Sequence, residues 1–428
     1  MIYDNWLYLG TLGLKIAECP PLKEEVKTEC LVIGGGVAGL HAALRLVDSG
    51  KKVVLLEKSI CGGSSSGRSG GFLTPESEED VRVLIQKVGK DKAKIISEIP
   101  VRGIDLIVKT IQKNNLKCDL RKQDSMYVSV VSSKDKLIRE EAETRKEMGL
   151  PFKIYEGAEL KKIHPGKNYR VGLRYPGSYG INSLAYCQEL KNLLVEKGVK
   201  VYENTEVHQM SDNTAKAHMG SVKANNIIVC IDKMKEEFDK DISKKYYHIQ
   251  TYLSVSEPIK DKEVKLIFPK GEMMCWDTDM FYMHYRMIEG NRIMLGRSSF
   301  FTSYMTRHYN SPGVINSAIK EFRKRFPSLG HVRFTHFWGG LIDVTKDLTP
   351  IADYDPRNKS IQYALGCAGL PWAAFCGDYL ARRLVNKNTE DLSEYFGINK
   401  KFAFSDFIQR FLGKPLSFAL SHLYSLFQ

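Results

Sequence analysis

Gly34-Gly35-Gly36-Val37-Ala38-Gly39 is a G-x-G-x-x-G run, and Glu57 stands 21 residues past its central glycine. These residue types suit the diphosphate and ribose of a dinucleotide. Gly34 permits a tight turn, Gly36 lets backbone approach a pyrophosphate, and Gly39 lets a helix pack on a strand. A carboxylate at Glu57 accepts hydrogen bonds from ribose hydroxyls and repels a 2′-phosphate. With 34 glycines in 428 residues the triple alone arises by chance about 0.2 times in a chain this long, so its context decides. Further on, Cys61 to Phe72 (CGGSSSGRSGGF) carries many backbone N–H groups and hydroxyls that can follow a long anionic ligand.

The elements needed to position these residues are legible. Cys30 to Ile33 is a short apolar run, Ala38 to Val47 is apolar at helical spacing and stops at Ser49-Gly50, and Lys52 to Leu56 is β-branched. Strand, helix and strand follow in that order, with the phosphates at the positive helix end. Helices are predicted over Val81 to Val88, Val101 to Ile111, Lys134 to Met148, Leu184 to Lys197 and Ala373 to Val385. Strands are predicted over Ser125 to Val131, Val199 to Tyr202, Asn226 to Cys230 and Gln362 to Leu365. From His248 to Gly296 the pattern turns to period two, as in Phe281 to Met287 and Arg292 to Gly296, which implies an antiparallel sheet in a second domain. The fold class is therefore α/β with an α+β insertion.

The run after Glu57 resembles the G-A-S-G-R-N-G-G segment of the FAD-dependent oxidoreductases of the D-amino acid oxidase superfamily. The resemblance extends from about Pro20 to about Val385. It takes in Tyr285-Arg286 followed by Asn291-Arg292 and Leu295-Gly296, then Trp338-Gly339-Gly340 with Thr345, Asp347 and Pro350, and finally Gly366-Cys367-Ala368-Gly369. It implies a Rossmann-like FAD-binding domain with an inserted, mostly antiparallel substrate domain. The expected boundaries are an N-terminal arm at 1–22, the FAD domain at 23–90, 165–240 and 335–390, the substrate domain at 91–164 and 241–334, and a C-terminal amphipathic helical segment at 391–428. The cofactor implied is noncovalent FAD, since no His lies in the Ser64 to Gly71 run and no Cys near Gly340. Carried over by the resemblance, its contacts are Gly34, Gly36, Val37, Ala38, Gly39, Glu57, Lys58, Ser65, Ser66, Gly67, Arg68, Ser69, Gly70 and Gly71. Val207 is expected to meet adenine, and Gly366, Ala368, Gly369 and Leu370 the flavin pyrimidine, where a helix end favours negative charge. Ser64 and Ser69 depart from the family's Gly and Asn, and Asp232-Lys233 replaces a small-residue turn.

Family members oxidise a carbon–nitrogen bond by hydride transfer to the flavin, so the protein chiefly positions the substrate. Members acting on α-amino acids resemble one another in an Arg after Gly-Leu, where a guanidinium clamps a carboxylate. Here Ile342 and Asp343 follow Gly340-Leu341. Asp343 attracts an ammonium or polyamine, or serves as a structural loop acid. The segment Trp338 to Thr345 and the Pro20-Pro21-Leu22 lead look like the γ-glutamylputrescine oxidoreductase branch, so a small-molecule amine is the expected substrate. Tyr282, His284 and Arg286 share one face by alternation. With Asp343, Trp372 and an aromatic wall at Tyr252 they are the candidates for catalysis and substrate contact. An amino-acid oxidase or dehydrogenase, and a noncatalytic flavin-binding, membrane-associated or partner-binding protein, are the alternatives. Whether O₂, a quinone or an electron-transfer partner reoxidises the flavin stays open.

Composition narrows the remaining classes. Lysine and arginine exceed aspartate and glutamate by 13, a surplus that suits an anionic cofactor, nucleic acid or membrane surface. The basic residues are scattered, and no aromatic–basic interleaving marks a nucleic-acid module. Nine cysteines without a C-x-x-C pair resemble neither a disulfide framework nor a zinc site, and no metal is expected. No stretch approaches the roughly 20 apolar residues of a bilayer span, and the N-terminus lacks a basic start. The expected location is cytoplasmic, with peripheral membrane contact open. The Phe- and Leu-rich segment from Phe402 to Gln428 either lies on a membrane or docks on the body or a second subunit.

Overall fold

Cys30, Leu31, Val32 and Ile33 are all buried, and they divide between two layers. Cys30 and Val32 pack with one hydrophobic cluster, Leu31 and Ile33 with another on the opposite side. A strand apolar on both faces requires cover on both, which is the condition of a parallel sheet. In the computed structural model, which describes residues 16–427 apart from 77, 78, 212, 280, 307, 308, 310, 387, 401 and 403–405, that condition is met. Strands Glu25–Ile33, Val53–Leu56, Lys200–Tyr202, Ser221–Val229 and Ile361–Leu365 run parallel, in the order 200–202, 53–56, 25–33, 221–229, 361–365. A meander, Val207–Ser211 and Thr214–Ala217, and strand Ile351–Tyr354 add antiparallel edges. Helices Val37–Asp48, Lys90–Asn114, Ser183–Glu196 and Leu370–Val385 supply the cover on one face.

A second eight-stranded sheet has the order Phe334–Thr345, Tyr246–Ser256, Arg292–Ser298, His284–Ile288, Met274–Asp277, Ser125–Val128, Val171–Tyr175, Lys153–Glu156. All its pairings are antiparallel except that of 274–277 with 125–128. Side-chain alternation sorts it into two faces. Tyr252, Tyr285, Met287, Ile293, Leu295 and Phe337 pack against helix Pro312–Arg325 through Ile315, Ala318 and Phe322. Leu253, Met294 and Trp338 gather on the other face. That face meets the loop following Glu57, where the Trp338 indole N–H donates to Arg68 O at 3.0 Å.

The expected mixed fold is therefore present, with shifted boundaries. Strand 334–345, placed by sequence in the first domain from 335 on, pairs throughout with strand 246–256 of the second sheet. Strand 171–175 also belongs to that sheet. Helix 90–114, assigned by sequence to the second domain, packs on helix 370–385 so closely that a Cβ at Gly103 would lie 2.0 Å from Pro371 O. Residues 1–15 of the expected arm lie outside the described residues. From Ile16 the chain is tied down, with Cys19 N–H donating to Glu203 at 2.8 Å and Leu22 N–H to Thr205 at 3.0 Å.

The C-terminal helix Asp406–Phe427 bends at Gly413 (φ 75°). Beyond the bend, Phe418 and Ala419 are buried against the body, and His422 donates to or accepts from Tyr304 at 2.8 Å. Before it the polarity is reversed: Gln409 is 7% exposed and donates to Lys244 O, while Phe407 and Phe411 are 66% and 77% exposed. Among the described residues no helix is long and apolar enough to cross a membrane.

Candidate cofactor and active site

The turn after Ile33 is shaped by what a side chain would strike. At Gly34 φ is 108°, and a Cβ there would lie 2.3 Å from Cys230 O. A Cβ at Gly39 would lie 1.9 Å from Gly34 O, so only glycine lets helix 37–48 sit this close to its strand. Glu57 closes strand 53–56 and braces the same turn. Its carboxylate accepts from Gly35 N–H at 2.7 Å and from Ser59 N–H at 2.9 Å. Burial raises the Glu57 carboxyl above the usual range against the pull of those two donors.

These groups open onto a cavity of about 500 Å³ at the carboxyl ends of the parallel strands, where ligands of open α/β sheets bind. Gly34, Gly36, Val37, Ala38, Glu57, Lys58, Ser65, Ser66, Val207, Gly366 and Asp343 all line it, joining segments more than 300 residues apart. Ser66 Oγ accepts from Val37 N–H at 3.1 Å, which holds the serine run against the first turn of the helix. Val207 lines the cavity beside His208 and His218, whose rings stack at 5.1 Å. Cys367 and Ile342 line it beside Gly366 and Asp343. A cavity of this volume whose wall carries a carboxylate, a helix N-terminus and hydroxyls fits a dinucleotide.

Other expected cofactor contacts form the frame behind this lining. Gly39 lies under the turn, and Gly67 N–H donates to Gly62 O at 2.9 Å. Ser69 Oγ accepts from Gly71 N–H at 3.2 Å, Gly70 O accepts from Arg286 at 2.8 Å, and Gly71 O accepts from Ile181 N–H at 2.9 Å. With Arg68 this strip is the seam between the two sheets. Ala368 and Leu370 are buried beside Gly369, which caps helix 370–385.

The substrate candidates are divided by the structure. Strand 284–288 begins later than the predicted Phe281 to Met287, so Tyr282 precedes it, with its ring 5.7 Å from that of His284. His284 does lie on the face toward the glycine strip, edge-on to Phe72 at 5.5 Å, and burial pushes its imidazole down to about 4. Arg286 shares that face but is fully buried, with donors spent on Gly70 O, Gln123 Oε1, Met287 O and Ile181 O. It is a structural clasp and not a substrate clamp. Tyr252 belongs to the opposite face, stacked on Phe337 at 5.7 Å, so no wall is built there. Trp372 is likewise turned away, packed edge-on to Phe396 at 6.0 Å and bordering a small recess with Leu84 and Ile96. Asp343 is on the cofactor cavity, its Oδ2 accepting from Lys233 N–H at 2.6 Å and its Oδ1 without a hydrogen-bond partner. Burial pushes its carboxyl up to about 7.

Asp232 and Lys233 line the cavity and were not among the expected contacts. Their position three and four residues beyond the β-branched strand end at Val229 was the available signal, since strand ends form the ligand crevice. Among the described residues no group of His, Cys, Asp and Glu forms a metal site, and all nine cysteines are free.

Comparison with known proteins agrees with this geometry. Residues 29–383 match the family model described as DAO, FAD dependent oxidoreductase. The chain is 28% identical over 360 residues to the probable oxidoreductase OrdL of Haemophilus influenzae, covering 82% of this chain and 80% of that protein. It is 24% identical over 372 residues to the γ-glutamylputrescine oxidoreductase of Escherichia coli, covering 85% and 84%. Glycine oxidase from Geobacillus kaustophilus superposes with a TM-score of 0.76 at 14% identity, covering 88% of this chain and all of that one. A fingerprint cradle of the right shape, opening on a cavity at the carboxyl ends of the parallel strands, together with a family match over most of its residues, makes this chain a member of the DAO family of FAD-dependent oxidoreductases.

Proposed function

We propose that this oxidoreductase oxidises a carbon–nitrogen bond of a small-molecule amine bound between the glycine strip and the face of the second sheet that carries Leu253, Met294, Trp338 and His284. Bound FAD supplies the hydride acceptor. The observation that carries the reading is the lack of a free carboxylate clamp among the described residues of that face. Of the two arginines there on strands 284–288 and 292–298, Arg286 is saturated by carbonyls and Arg292 donates to Ser256 O at 2.9 Å. Ile342 offers only an aliphatic side chain, and His284, held far below its ordinary value by burial, is neutral at physiological pH. An uncharged, aromatic-edged face admits a neutral amine without the desolvation cost of an unpaired carboxylate. The similarity to a γ-glutamylputrescine oxidoreductase supports the same substrate class. FAD is held noncovalently on this reading, the neighbouring Cys230 thiol being kept protonated by burial.

Anaerobic titration of the purified holoenzyme checks it. Primary or secondary amines are expected to bleach the oxidised flavin band. Bleaching by α-amino acids alone would return the chain to the amino-acid oxidases, and no bleaching by any compound would favour a noncatalytic flavoprotein.

The reversed polarity of residues 407–412 supports a further part of this reading, that the C-terminal helix rests on an anionic lipid surface where a quinone can collect the electrons. Phe407, Phe411 and Leu412 point outward beside the exposed Arg410. Apolar side chains flanked by cations bind the headgroup region of anionic bilayers. The holoenzyme is expected to sediment with phosphatidylglycerol vesicles, and F407S/F411S to stay in the supernatant. Equal partition of both proteins, or pairing into dimers that the double substitution abolishes, would refute it.

A further inference from the structure

Lys58, Asp232, Lys233 and Asp343 border the cavity where the fingerprint helix approaches the second sheet. Two ammonium groups match the two negative charges of a diphosphate diester, yet an ionised acid is planted among them. Asp232 Oδ2 accepts from Ser64 Oγ at 2.8 Å and from Ser65 Oγ at 2.6 Å, and it is paired with the Lys233 ammonium. Lys58 Nζ approaches its other oxygen at 3.8 Å. Burial works to raise this carboxyl, but Lys233 and the Ser65 hydroxyl outweigh it and hold Asp232 far below the usual carboxylate range.

The same donors face the place a diphosphate would occupy. Ser64, Ser65, Lys58 and Lys233 line the cavity together with Gly36 and Val37 at the helix N-terminus. Lys233 Nζ lies 3.2 Å from Ser65 Oγ. Its backbone is left-handed (φ 52°), a conformation unusual for a lysine, and it is held there by the bond from Lys233 N–H to Asp343. An αL residue whose N–H is clasped by one acid and whose ammonium is clasped by another is an ordered donor.

We propose that Asp232 is a built-in competitor of the cofactor's diphosphate, and that Lys233 is a diphosphate-binding residue of this chain. The carboxylate and the phosphate oxygens draw on the same hydroxyls and the same ammonium, so FAD is captured by transfer of those donors from one anion to the other. Asp232 keeps the donors ordered and weakens the final complex. The inference rests on FAD binding alone and is independent of which substrate is oxidised.

Opposite signs test it. Holoenzyme is diluted through a concentration series, and released FAD is followed by its fluorescence at several salt concentrations, with circular dichroism to confirm that each variant is folded. Lys233→Met is expected to raise the FAD dissociation constant about tenfold and to flatten its salt dependence, as loss of one charge-assisted contact does. Lys233→Arg should restore most of the affinity. Asp232→Asn is expected to lower the dissociation constant about threefold or more by removing the rival charge, and Asp232→Ser repeats the test should the amide disturb the turn. A merely structural pair would lose affinity in both variants. That result, or an unchanged affinity in either, would overturn the proposal.

Discussion

Replacing Arg286 by leucine is expected to destabilise the protein by about 3–5 kcal/mol and to release FAD, because the guanidinium is the joint between the glycine strip and the second sheet. Arg286 is 0% exposed. It donates to Gly70 O at 2.8 Å, to Met287 O at 3.2 Å, to Gln123 Oε1 at 3.3 Å and to Ile181 O. Its slot is lined by backbone, since a Cβ at Gly180 would come within 2.5 Å of Nη1. Leucine removes the buried charge but strands Gly70 O, Ile181 O and Gln123 Oε1 in a region water does not reach, while Met287 O keeps the Gln123 amide donor at 3.0 Å, and each unpaired acceptor costs about 1–3 kcal/mol. Lysine reaches one or two of them, since its ammonium is compact and lacks the planar fork, so Arg286→Lys should fall between. Urea denaturation of the two variants, followed by tryptophan and released-flavin fluorescence, measures the effect. An Arg286→Leu protein with wild-type midpoint and bound flavin would show that the strip is held by other contacts.

The second large effect is expected at Glu57. Glu57→Ala should raise the FAD dissociation constant about 100-fold, or about 2.7 kcal/mol, two charge-assisted bonds being at stake. The carboxylate is the acceptor for Gly35 N–H at 2.7 Å and Ser59 N–H at 2.9 Å, at the cavity wall. Its removal unpins the fingerprint turn and takes a carboxylate acceptor from the cavity wall. Glu57→Gln keeps the shape and one carbonyl oxygen, and should lose about tenfold. The assay is the same dilution series used for Lys233, and the two sites differ in salt response: Glu57→Ala acts through hydrogen bonds to neutral groups and leaves the salt slope unchanged. Retention of wild-type affinity in Glu57→Ala would remove the carboxylate from the cofactor site.

What could be read in advance follows the range of the interactions. The strand, turn and helix around Gly34 are built from neighbours, and Glu57 comes back to Gly35 across only 22 positions, so pattern and spacing carried them. The later segments of the cavity wall, Val207 and Gly366, came from resemblance, and the structure places them on the same cavity as the fingerprint. Alternation correctly set His284 and Arg286 on one face of a strand. It could not say that Arg286 is consumed there, because the carbonyls that consume it belong to Gly70 and Ile181, 216 and 105 residues away. Tyr252 failed by one step of strand phase, which turned its ring toward Phe337. Trp372 was placed by its nearness to Gly369, but Phe396, beyond the end of the same helix, supplies the surface that takes the indole inward.

The sequence by itself determined the dinucleotide-type turn and the parallel core, since both depend on local backbone geometry and on strands that are apolar on two faces. Only the tertiary structure decided which polar side chains are free to meet a ligand. A guanidinium, a carboxylate or an indole offers the same chemistry wherever it stands, and burial beside distant backbone or distant charge determines what is left of it. Arg286 is spent on carbonyls, Asp232 is locked to Lys233, and Asp343 alone of the expected substrate contacts keeps a carboxylate oxygen unpartnered at the cavity wall.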